Sequence, residues 1–96
     1  MSELFPARLR ASEKLAVSAA VSVSTTRNYP SKVRVISDRI IHIAVGISPT
    51  ATQNDIYIYS NEPFFVSVSA DEQIAIVKNT GEIDGSVWIT YMDVSA

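Results

Sequence analysis

The stretch DIYIYSNEPFFVSVSADEQIAIV, residues 55–77, changes side-chain character at every second residue and breaks only at short polar turns. An extended chain sends successive side chains to opposite faces. Ile56 and Ile58 therefore share one side of their run, with Tyr57 and Tyr59 on the other. In the next run Phe64, Val66 and Val68 lie opposite Phe65, Ser67 and Ser69. The same period holds from residue 15 onward and no helix-period run competes with it, which confines the chain to an all-β architecture.

Strands are expected near 15–25, 32–36, 39–45, 56–60, 64–69, 73–78 and 86–93. The intervening segments carry turn chemistry: RNYPS at 27–31, SD at 37–38, GISPTATQND at 46–55, SNEP at 60–63, ADE at 70–72 and NTGEIDG at 79–85. Gly81 and Gly85 read as turn residues that permit a positive φ. About seven short strands so punctuated predict an antiparallel β-sandwich or jelly-roll-like barrel. Its interior should contain Val35, Ile43, Ile58, Val66, Ile76 and Ile89. Trp88 and Met92 should close one side of the core, with Tyr57 and Tyr59 at its edge, because a small domain needs its largest apolar groups inside.

Residues 1–14, MSELFPARLRASEK, depart from this rhythm and read as an N-terminal arm ahead of a single domain over 15–96. Pro6 opposes regular strand pairing through the segment, and any helix in the chain, a turn or two at most, is expected near residues 2–14. Phe5 and Leu9 offer apolar anchors beside the cations Arg8 and Arg10. A thin core can hold only part of such a tail, so these four residues are expected to dock on a neighbouring chain.

The core is thin because 96 residues, as one domain, bury only about 64% of the surface the unfolded chain exposes. The sequence has no cysteine, so packing or a partner must supply what disulfides give many small secreted domains. No window reaches the ~18 consecutive apolar residues of a membrane-spanning helix. Glu3 and Glu13 flank the place a basic signal-peptide region would occupy, so export by a cleavable signal is not expected. Charge is uneven along the chain. Seven of the eight basic residues fall within 1–39, whereas 40–96 holds Lys78 against seven carboxylates. Such a division suits complementary, self-associating surfaces, and a pI near 5.2 argues against nucleic-acid binding.

Chemistry-bearing constellations are sparse. The lone histidine, His42, stands mid-strand in IIHIAV with no second imidazole or cysteine to complete a metal site or nucleophile pair, and reads as a hydrogen-bonded structural residue. Asp71, Glu72, Glu82 and Asp84 fall in expected turns, where solvation accounts for them. There is no phosphate-binding glycine loop and no calcium loop. An enzyme is not expected; no catalytic, metal-binding or cofactor-binding residues are assigned, and no cofactor is implied. Tyr57, Tyr59 and Trp88 would favour a carbohydrate-binding module if they proved exposed and coplanar.

Residues 33–92 combine a strand ending in VG at 45–46, the small polar loop SPTATQND, a return at 62–68 beginning EPFFV, an IAIV strand and a final G-x-V-W-I-T strand. This wording resembles small all-β structural proteins of tailed bacteriophages. The resemblance covers about two-thirds of the chain and carries no catalytic motif. It implies a non-enzymatic virion protein, assembled in the host cytoplasm, that decorates or cements a capsid. Its partners would be the major capsid protein or other virion subunits, typically with copies of itself, without nucleic acid or membrane. Phe5, Arg8, Leu9, Arg10, Tyr57 and Tyr59 are the expected partner-binding residues. A tail or connector component of the particle would share the same features.

Overall fold

The computed structural model describes residues 7–26 and 30–94, with side chains described for 12–26 and 30–92. Eight strands follow in order: β1 Ala7–Val17, β2 Ser22–Val23, β3 Ser31–Ser37, β4 Ile41–Gly46, β5 Ile56–Ile58, β6 Phe64–Val68, β7 Gln73–Lys78 and β8 Gly85–Val94. They form two open four-stranded sheets, ordered β1-β8-β3-β6 (sheet I) and β2-β7-β4-β5 (sheet II). Every pairing is antiparallel. No helix occurs among the described residues and the sheets do not close into a barrel, so the expected all-β class holds in a sandwich-like form.

One apolar cluster joins the inward faces of the two sheets. Val33, Val35, Val87, Ile89 and Tyr91 come from sheet I, and Ile41, Ile43, Ile58, Ile74 and Ile76 from sheet II. β-branched residues dominate it because they pack well on a pleated surface. Five of the six residues expected inside are buried; the sixth, Val66, is half-buried and packs against the cluster from edge strand β6.

Three expectations about the strands and the core are corrected, as is a fourth, the positive φ expected at Gly85. The run at 15–25 is not one strand. β1 ends at Val17, and the chain crosses to sheet II through a serine-bonded corner in which Ala20 N donates to Ser18 Oγ (3.2 Å) and Ser22 Oγ donates to the Ala16 carbonyl (2.7 Å). β1 also begins earlier than expected. Residues 7–14, read as part of an arm, run as strand beside β8, with a register shift between Leu9 and Ala11. That irregularity breaks the alternation, and charged Glu13 occupies an inward position where sequence reasoning looks for an apolar one. At the rim Glu13 accepts hydrogen bonds from Thr25 N (3.1 Å), Thr25 Oγ1 (2.8 Å) and the Tyr91 hydroxyl (2.9 Å). Lastly, Trp88 and Met92 do not close the core. The register points Val87, Ile89 and Tyr91 inward, so Trp88, 39% exposed, stands on the outward face of sheet I with half-buried Met92.

The turns divide by backbone geometry. Gly81 has φ 95°, as a positive-φ turn residue should, while Asn61 and Asp71 take φ of 61° and 67° in the SNEP and ADE turns. Gly85 has no positive φ. Its reason is space: a Cβ there would run into the Asp38 carboxylate and the Arg39 side chain, which close over the start of β8.

The two outward faces differ. Sheet II is covered by the β4–β5 loop, whose Ala51 packs on Ala44, Ala75 and Val77. Small side chains on β4 and β7 let the loop approach closely. Gln53 ties it down, its Nε2 donating to the Lys78 carbonyl (2.8 Å) and its Oε1 accepting from Thr80 N (2.9 Å). No described segment covers sheet I in the same way.

Candidate interaction surface

Cross-strand neighbours in an antiparallel sheet project to the same side, so the registers define the outward face of sheet I row by row. Lys14, Trp88 and Ile36 form one row. Ser12, Thr90, Arg34 and Phe65 form the next, and Met92, Lys32 and Ser67 a third. Phe65 is 61% exposed on edge strand β6. The Lys14 ammonium sits 5.8 Å from the Trp88 ring centroid, within range of a cation–π contact. Beside Phe65 a shallow pocket of about 110 Å³ is lined by Lys32, Phe65, Val66, Ser67 and Met92.

The electrostatics of this face are one-signed. Its described side chains include Lys14, Lys32 and Arg34 and no carboxylate. Arg34 Nε is buried without a hydrogen-bond partner, even though a buried cationic donor ordinarily has one. Part of the charge asymmetry along the sequence thus becomes a surface asymmetry. The reason is topological: β1 and β3, both from the basic segment 1–39, lie on either side of β8.

Tyr57 and Tyr59 occupy a different place, at the edge strand β5 of sheet II. They are 45% and 62% exposed, next to exposed Ile56. Their ring centroids are 5.1 Å apart, but the planes cross at 77°, an edge-to-face pair. With Trp88 on sheet I and the tyrosines at the edge of sheet II, the three rings do not make one flat platform. Below them the β5–β6 corner holds a cleft of about 180 Å³, lined by Tyr57, Ile58, Tyr59, Glu62, Pro63 and Phe64. Of the other residues expected to bind a partner, Phe5 lies outside the described residues. Only the backbones of Arg8, Leu9 and Arg10 are described, and they run in β1.

His42 takes the structural role expected of it. The ring is buried; Nδ1 donates to the Asp55 carbonyl (3.1 Å), and Nε2 meets the Asn79 side-chain amide at Oδ1 (2.7 Å). It thereby ties to β4 both the end of the covering loop, at Asp55, and the turn after β7, at Asn79. Among the described residues no three His, Cys, Asp or Glu side chains gather as a metal site.

The residues that sequence reasoning missed are those of the sheet I face. Phe65, Arg34 and Lys32 alternate with core residues, and Trp88 was assigned inside by size. The signal that could have found them was charge phase: Lys32, Arg34 and Lys14 all fall on the side opposite Val33, Val35 and Leu15. Comparison with protein-family models, curated proteins and solved structures gives no match to this chain.

Proposed function

We propose that this chain is a non-enzymatic structural protein of a phage particle that binds a capsid surface as a decoration or cement module. The observation that carries the reading is the strand order. Sheets ordered β1-β8-β3-β6 and β2-β7-β4-β5 have the connectivity of two Greek keys, so we read the sandwich as a jelly roll, an architecture used by viral capsid domains. Fold alone does not assign function, and the surface adds a second line of support. An exposed aromatic and cationic sheet face, with the opposite sheet already covered, suits docking on other subunits. Repeated attachment to a lattice makes individually weak contacts long-lived.

Jelly rolls also serve as lectins, and a carbohydrate-binding module was the other class the sequence left open. The crossed planes of Tyr57 and Tyr59, and the separation of Trp88 from both, weigh against a stacking platform for a sugar ring.

The test is compositional and positional. Particles purified from the host that carries the gene should contain the chain at a copy number tied to the capsid lattice, and cryo-electron microscopy should find its density on the shell. Density at the tail or neck would assign the connector role instead. Absence from purified particles would sink the proposal.

A further inference from the structure

We propose that the outward face of sheet I of one copy binds the β5–β6 corner of a second copy of this chain. Two patches with matching requirements lie on the same molecule. The face presents Phe65 and Trp88 among Lys14, Lys32 and Arg34, with no carboxylate among its described side chains. The corner presents Tyr57, Tyr59 and Pro63 around Glu62, which is exposed and has no partner among the described residues. Each patch is apolar at its centre, and the charges are opposite.

Arg34 gives the pairing a specific centre. Phe65 and Thr90 flank it across the strands, and its buried Nε has no acceptor. Guanidinium and carboxylate satisfy one another through paired N–H···O contacts that a neutral partner cannot supply. The Glu62 carboxylate of the second copy pairs with the accessible part of this half-buried guanidinium, while Tyr57 and Tyr59 cover the apolar surface around Phe65. Within one copy the two do not pair: Glu62 is in the corner between β5 and β6, Arg34 on β3 stands opposite Phe65, and neither has a hydrogen bond or ion pair with the other. The inference concerns the chain alone and stands or falls whether or not the chain is found on a particle.

Sedimentation velocity on the purified full chain tests it. The wild-type protein should show a weight-average mass that rises with concentration and falls as salt screens the contact. Arg34→Glu and Glu62→Arg should each weaken association by at least about tenfold without lowering the melting temperature. Mixing the two variants should restore it, because each then offers the charge the other lacks. The double variant alone should recover for the same reason. A chain that stays monomeric at every concentration would overturn the proposal. So would association that neither substitution touches, or loss in both variants with no recovery on mixing. A monomer shifted only by a poly-glutamate peptide would assign the face to a different acidic partner and likewise overturn it.

Discussion

Gly85 occupies a position where the first atom of any side chain meets the Asp38 carboxylate, which accepts a hydrogen bond from Ser86 N at 2.8 Å. Gly85→Ala must push that carboxylate away, so the overlap and the lost bond act together. The substitution should cost about 1–3 kcal/mol in denaturant unfolding, although the backbone there is one that alanine adopts freely. A neighbouring pair tests the register of β8. Ile89, fully buried, should cost about 2–5 kcal/mol on truncation to Ala. Trp88→Ala, one residue away and on the solvent side, should cost about 1 kcal/mol or less in the same measurement. A larger cost at Trp88 than at Ile89 would mean that the strand faces its sheet the other way round. Size suggested that the tryptophan belonged inside, and alternation alone could not contradict it, because both Val87–Ile89–Tyr91 and Trp88–Met92 are period-two sets. Only the pairing with β3 decides between them, and pairing is not local in sequence.

Elements were legible where one face is buried and the other wet. β3 and β6 announce themselves because more and less buried residues alternate along them, β4 and β7 because short apolar runs fall between turns, and the turns use Asn61, Asp71 and Gly81 where left-handed backbone is needed. β1 was hidden because a register irregularity and the inward Glu13 both interrupt the pattern that defines a strand. The consequence can be measured. A chain beginning at Leu15 loses most of the β1–β8 ladder and the carboxylate that holds Thr25 and Tyr91. It leaves β8 as an unprotected edge. Its melting temperature should fall sharply and light scattering should rise, whereas a dispensable segment would leave both unchanged. Ile56 illustrates the opposite limit. It belongs to the apolar phase of a three-residue edge strand, yet it is 54% exposed because the sheet ends there.

At the scale of the whole molecule, the two sheets share one core but face different surroundings. Sheet II carries its own cover in the loop that Ala51 seats and Gln53 and His42 fasten. Ala51→Arg should lift that loop and cost about 1–3 kcal/mol by overpacking, read as a lowered melting temperature, while leaving self-association through sheet I unchanged. An effect on association instead of stability would mean that the loop, and not the open sheet, is the contact surface. The candidate surface itself was only half legible in the sequence. Tyr57 and Tyr59 stood out as aromatics in a polar phase, but the cationic face needs strands from both ends of the chain to be laid side by side.

That arrangement of strands also has a consequence for synthesis. β8 follows the seven other described strands in chain order and lies between β1 and β3, which are among the first of them. Until residue 94 has emerged, sheet I lacks the strand that bridges the two. The nascent chain must carry the apolar sides of β1 and β3 without their shared neighbour until β8 has been made. Sheet I therefore closes only once β8 has been made, and until then its exposure to aggregation and to chaperones is set by the arrival of that ten-residue strand.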